Sequence, residues 1–162
     1  MNETNAASMA DPADVASIDA IINAAYDVIS GAAGKKRDWD RERSLFIPGA
    51  RLMPTVMEPG ATAPKDKVGP QMLDIEGFIK RSASYFEKNG FFEKEIARRT
   101  EQFGQIAHVW STYESRRKAV DPEPFLRGIN SIQLFHDGTR WWIVSIYWQP
   151  ESPEQRIPEK YL

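Results

Sequence analysis

The sequence predicts an α+β protein, with helices gathered on one face of a bent, mainly antiparallel sheet. Three observations carry this. Apolar residues recur at helical spacing from Val15 to Ile29. After Gly90 the period changes to two, in long runs. The last two runs, within Arg127 to Gln149, flank His136-Asp137-Gly138-Thr139, a hairpin signal with Asp-Gly at the turn.

The elements follow in order. Residues 1 to 10 are polar and small and read as a disordered tail. Asp11-Pro12 starts a helix, since Asp caps and Pro fits the first turn. Ile18, Ile21, Ile22, Ala25, Tyr26 and Ile29 continue it to a stop at Gly31. Lys35-Lys36-Arg37 forms a solvated basic loop. Asp38 caps a short helix from Trp39 to Leu45, whose charges at i, i+3 and i+4 read as a salt-bridged surface. Pro48-Gly49 breaks it, and Ala50 to Val56 reads as a strand. Met57 to Gln71, rich in Pro and Gly, reads as a loop or a short irregular hairpin. Asp74 caps a third helix, with Ile75, Phe78, Ile79, Tyr85 and Phe86 along one side and Asn89-Gly90 at its end. Phe91 to Phe103 and Ile106 to Arg117 are strands joined at Gly104-Gln105. Residues 118 to 126 cross to the final hairpin. Residues 151 to 162 form a proline-rich tail with little reason to fold alone. The domain thus spans 11 to 150.

Composition narrows the function classes. A chain of 162 residues with 41% hydrophobic and 27% charged residues suits one globular domain. Its net charge of −2 argues against nucleic-acid binding, and three consecutive cations do not reverse that. There is no cysteine, so disulfides and thiolate chemistry are excluded. The first dozen residues lack a signal-peptide pattern, and no run approaches the roughly eighteen apolar residues of a membrane span. The expected compartment is the cytoplasm. Two histidines without HxH or HExxH spacing give no metal site, and no cofactor is expected.

Phe103-Gly104-Gln105-Ile106-Ala107 and Asp137-Gly138-Thr139-Arg140-Trp141-Trp142-Ile143-Val144 resemble the strand-turn-strand and final-strand signatures of the nuclear transport factor 2-like superfamily, also called SnoaL-like or ketosteroid-isomerase-like. The resemblance covers residues 13 to 150. It implies a cone-shaped fold, with three N-terminal helices packed on a strongly curved sheet enclosing a cavity, and often a homodimer through the outer sheet face. It does not imply one activity, because the superfamily hosts isomerases, dehydratases, cyclases and bare oligomerisation domains.

In the family register the inner face carries Ile96, Arg98, Thr100, Ala107, Val109, Ser111, Tyr113, Ser131, Gln133, Phe135, Trp142, Val144, Ile146 and Trp148. The outer face then carries His108, Trp110, Trp141, Ile143 and Tyr147. A one-residue slip exchanges the two sets. The ligand-binding candidates are Tyr26 and Tyr113 as polar anchors, Arg98 as an anion clamp, Ser131 and Gln133 as hydroxyl and amide partners, Trp142 and Trp148 as stacking surfaces, and Trp39 as a cover. Each also has a plain reading as a packed or surface residue.

The candidate catalytic groups are Tyr26 as hydrogen-bond donor and Glu58 or His108 as base. The resemblance places the isomerase carboxyls at Pro54 and Ser131, and neither residue can serve as an acid or base. Three functions stay open: a small-molecule-binding protein suited to an acidic or carbonyl-bearing ligand, a SnoaL-like cyclase, dehydratase or isomerase acting on a carbonyl-bearing substrate, and a structural module. The expected partner is a second copy, meeting Trp110, Trp141, Ile143 and Tyr147.

Overall fold

Strand pairing sets the architecture. Five strands form one mixed sheet in the order β1-β5-β4-β3-β2. They are β1 (Phe46–Pro54), β2 (Phe92–Phe103), β3 (Ile106–Arg116), β4 (Leu126–His136) and β5 (Trp141–Pro150). The β1–β5 pair is parallel and the others are antiparallel. The structure, a computed structural model, describes residues 9–55 and 70–162. Glu58 and most of the expected loop over 57–71 lie outside the described residues, as do residues 1 to 8 of the N-terminal tail. Ala10 of that tail packs against the core.

Four helices cover the sheet: α1 (Pro12–Val15), α2 (Ile18–Ile29), α3 (Trp39–Leu45) and α4 (Ile75–Lys88). The single helix expected from Asp11 to Gly31 is two. Ser17 adopts an extended backbone and its side chain accepts from Ala20 N at 3.0 Å, starting α2 afresh. Asp38 and Asp74 cap α3 and α4 by the same device, accepting from Arg41 N and Gly77 N. Strand β1 begins at Phe46, earlier than expected. It absorbs Pro48-Gly49 as a register irregularity between Phe46 and Arg51 rather than starting after them.

Ile21, Ile22, Leu45, Leu52, Val109, Ile132, Leu134 and Ile143 are enclosed between helices and sheet. Each such side chain contributes roughly 1.5–3 kcal/mol by leaving water. Arg37, expected in a solvated loop, is buried. Its guanidinium donates to the carbonyls of Ile29, Gly31, Ala32 and Lys35, closing the C-terminal end of α2, and it lies over the Phe86 ring.

Two bulges decide which residues face inward. In β5, Ile143 pairs with Leu134 and Ser145 pairs with Gln133, so Val144 is an extra residue. In β2, Glu95 pairs with Tyr113 and Ala97 with Thr112, so Ile96 is extra. Alternation reverses across each bulge.

The tail over 151–162 is not loose. It ends in a 3-10 turn (Glu159–Tyr161) on the outer sheet face. Thr112 Oγ1 donates to the Tyr161 carbonyl at 2.6 Å, Arg99 Nη2 donates to the Lys160 carbonyl at 2.7 Å, and the Tyr161 ring lies 5.8 Å from Trp110. No helix among the described residues is long and apolar enough to cross a membrane.

Candidate functional site

The inner sheet face changes character along the strands. Towards the hairpin turn it is apolar: Ala107, Val109, Ile132, Leu134, Trp141 and Ile143. Towards the other end, alternation and the Ile96 bulge bring together Glu93, Glu95 and Arg98 of β2, Ser111, Tyr113 and Ser115 of β3, and Gly128 and Asn130 of β4. Helix α2 adds Tyr26 from above.

A hydrogen-bonded chain runs through these groups. Asn130 Nδ2 donates to the Tyr26 hydroxyl oxygen at 2.9 Å. Tyr26 and Ser111 hydroxyls meet at 2.7 Å, and Ser111 donates to Glu95. With its own proton given to Glu95, Ser111 Oγ accepts from Tyr26. Arg98 donates to Glu95 at 2.7 and 2.8 Å and pairs with Asp19. The Tyr26 phenol and the Arg98 guanidinium are therefore engaged inside the protein. Burial, then the charge of Glu93, raises the Tyr26 pKa well above the ordinary phenol value.

Two polar groups at this end remain open. Among the described residues, only Glu42 Oε2 and Trp110 Nε1 are side-chain polar atoms both fully enclosed and without a partner. The Tyr113 hydroxyl and Glu93 Oε1 also have no described partner. Tyr113 is only 2% exposed, so its open hydroxyl lies deep. It sits above Gly128, where a Cβ would strike it and would come within 2.6 Å of the Gln149 carbonyl. Glycine is what lets the ring approach. Glu93 Oε2 accepts from Ser115 Oγ at 2.8 Å. Burial pushes the Glu93 carboxyl up to about 7. It also pushes the Tyr113 phenol above its ordinary value, with Glu93 the next cause. The two groups stand diagonally across the β2–β3 pair, roughly 5–8 Å apart at Cβ.

Of the sequence candidates, Tyr26, Arg98, Tyr113 and Trp148 lie on the inner side. Trp148 packs on the core with Phe78 edge-on at 6.3 Å. Ser131, Gln133 and Trp142 do not. They share the outer face, with Ser131 bonded to His108 Nε2 at 3.1 Å and Trp142 Nε1 donating to Asp137 at 2.7 Å. Phe135, paired with Trp142, and Val144 face outward as well. Conversely Trp141 and Ile143 are core residues, 7% and 0% exposed, and present no outer surface. The Val144 bulge is the reason: the odd residues before it and the even residues after it share the inner face. In β4 the expected alternation is reversed, since Ile132 and Leu134 are apolar alternatives to Ile129 and Phe135. His108 is on the outer face as expected. Trp39 is half-buried on α3 and stacks on Phe86 at 6.2 Å.

Glu93, Glu95 and Asn130 are candidate site residues that sequence reasoning missed. The first two were hidden by the Ile96 bulge. Asn130 is the neighbour of Ser131, where the resemblance sought an acid; the structure turns Asn130 inward instead, and an amide there still cannot serve as an acid. Glu42, read as part of a charged surface, is 2% exposed. With desolvation outweighing the charge of Arg41, its carboxyl rises to about 8.

Two grooves lie elsewhere. One of about 580 Å³ lies beside Glu114, Arg116, Leu126, Arg127 and Glu151, and one of about 500 Å³ beside Lys35, Trp39 and Phe86. Neither lining includes Tyr26, Glu93 or Tyr113. The charges lining the larger are paired with each other, as in Arg127–Glu151 at 2.9 Å, whereas the inner face keeps polar groups without a described partner. Among the described residues no group of three or more His, Asp or Glu is arranged to hold a metal ion.

No protein-family model and no curated protein matches the sequence. Solved structures do. A protein from Kribbella flavida aligns with a TM-score of 0.58 at 10% identity, over 85% of this chain and 90% of that one. A protein from Parabacteroides distasonis, provisionally named a ketosteroid isomerase, aligns with a TM-score of 0.55 at 11% identity, over 91% and 98%. A nuclear transport factor 2-like protein of unknown function from Silicibacter pomeroyi gives 0.51 at 15% identity, over 84% and 94%. With helices packed on one curved mixed sheet in this strand order, the fold of the chain is that of the nuclear transport factor 2-like proteins.

Proposed function

We propose that this protein binds a small organic molecule at the polar end of the inner sheet face, where the Tyr113 hydroxyl and the Glu93 carboxyl receive it. One observation carries the reading: a phenol 2% exposed keeps its hydroxyl open and without a described partner. A buried polar group left unpaired costs about 1–3 kcal/mol, and a ligand that pairs with it recovers that cost on binding. A thermal-shift screen tests the reading, because a ligand that binds only the native state raises the melting temperature. A hit whose shift persists in Tyr113→Phe and Glu93→Gln counts against these anchors.

A second reading has its own support. A carboxyl near pH 7 beside a phenolic donor suits proton transfer at a carbonyl-bearing substrate, in the manner of a cyclase, dehydratase or isomerase. Glu93 then takes the place sought at Glu58 or His108. Turnover lost in Glu93→Gln with substrate affinity kept supports it.

The chain is also proposed to pair with a second copy through its outer face. Val144 and Tyr147, 37% and 41% exposed, support this in place of Trp141 and Ile143. Sedimentation of Tyr147→Asp against the parent chain tests it.

A further inference from the structure

The charges around the open end of the inner face do not balance. Glu93, Glu95 and Asp19 stand there with a single guanidinium, Arg98. Arg98 is spent on Glu95 of its own strand and Asp19 of α2. Tyr26 and Tyr113, the other titratable groups facing inward, stay neutral because burial raises both. Glu93 has only the Ser115 hydroxyl for company. The nearby cations are engaged elsewhere: Lys94 pairs with Glu114, and Arg117 meets the Tyr85 hydroxyl and covers Phe125 at 3.8 Å.

A carboxylate drawn partly out of water is costly unless it is protonated or a cation joins it. Aromatic residues adjoin Glu93 along the chain and across the strand pair. Phe91 lies two residues before Glu93, within 5.2 Å of Phe86 and 6.2 Å of Phe125. Phe125 is tied by its backbone N–H to the Ser115 carbonyl at 2.9 Å, across from Glu93. An acidic ligand would meet a net negative charge, with Arg98 already paired to Glu95 and Asp19, which reverses the preference for acids that Arg98 suggested from sequence.

We infer that the ligand of this site carries a protonated amine on an apolar or aromatic body, its ammonium meeting Glu93 and a polar substituent meeting the Tyr113 hydroxyl. The inference rests on the proposed binding role of the same site and names the ligand's charge. An alcohol of equal shape loses the charge-assisted bond, and an acid also meets repulsion.

The test uses three probes of one shape, 2-phenylethylamine, 2-phenylethanol and phenylacetate, titrated calorimetrically into the full chain at pH 8. The amine is expected to bind about tenfold tighter than the alcohol, with the acid weakest. Glu93→Gln is expected to remove the amine's advantage over the alcohol. Equal affinity for amine and alcohol, both lowered by Tyr113→Phe, overturns the inference and leaves the binding site standing. A preference for phenylacetate overturns it too. No binding by any probe overturns both. The comparison among probes needs only the parent chain, so it holds even if a variant fails to fold.

Discussion

Glu42 and Glu93 are both carboxyls that burial pushes towards or above neutrality, yet they stand in opposite kinds of place. Glu42 lies on α3 within the core, one oxygen fully enclosed and without a partner among the described residues. Glu93 lies on β2, one oxygen held by Ser115 and the other open. The enclosed, unpartnered oxygen makes Glu42 a burden on stability. Glu93 is half-buried where Glu42 is buried, which is what would let the proposed ligand reach it. Burial alone therefore does not mark a site; burial with an exit does.

The same contrast runs along the whole inner face, from a sealed apolar end to an open polar one. The largest effect tests the sealed end. Ile143→Ala is expected to cost about 2–5 kcal/mol, since it empties space the core cannot refill. Denaturant unfolding measures this, and a cost below about 1 kcal/mol would mean that Ile143 is not a core residue.

Next comes the polar end. Tyr26→Phe removes the oxygen that serves Asn130 and the hydroxyl donor that serves Ser111, and is expected to cost about 1–3 kcal/mol. Tyr113→Phe removes a hydroxyl with no described partner and is expected to cost less than Tyr26→Phe. If the two costs are equal, the open hydroxyl is paired after all.

The pH dependence of stability separates the two carboxyls. Each has a folded-state value above its ordinary 4.5, about 8 for Glu42 and about 7 for Glu93. The folded state then holds these protons more tightly than the unfolded state, so stability falls as pH rises from 4.5 through 7 and 8. Glu42→Gln is expected to flatten the part of the slope up to pH 8 and to raise stability at pH 8.5 by about 1–3 kcal/mol. Glu93→Gln flattens the part below pH 7. A ligand flattens only the Glu93 part. Urea midpoints across this range measure both, and stability rising with pH over the window contradicts the assignment.

The smallest effect concerns the bulge. Val144→Ala, on the outer face one residue from Ile143, is expected to change stability by no more than about 0.5 kcal/mol. A large cost there with a small one at Ile143 would reverse the facing of β5.

Most of the fold was legible because period and turn chemistry are local. The Asp137-Gly138 turn formed as its residues demand: Gly138 has φ of 104°, and Asp137 accepts from the N–H groups of Thr139 and Arg140. Asp11, Asp38 and Asp74 capped their helices for the same reason. The site was less legible because one extra residue per strand depends on pairing across the sheet. Nothing local at Ile96 or Val144 announces a bulge, yet each reverses the facing of its strand from one side of the bulge to the other. That hid Glu93 and Glu95 and exchanged Trp141 with Trp142. The burial of Glu42 was equally hidden, since the sequence around it alternates charge like an exposed helix. The docking of Tyr161 on Trp110 depends on contacts about fifty positions apart in the chain.

The central claim is that the open end of the inner face is where a small molecule binds. Its most direct measurement is a titration of the isotope-labelled chain with 2-phenylethanol, followed by NMR chemical shifts. Shifts centred on Glu93, Tyr113, Ser115, Gly128 and Asn130 are the predicted result. Shifts confined to the groove of Lys35, Trp39 and Phe86, or to the groove at Arg127 and Glu151, would contradict it.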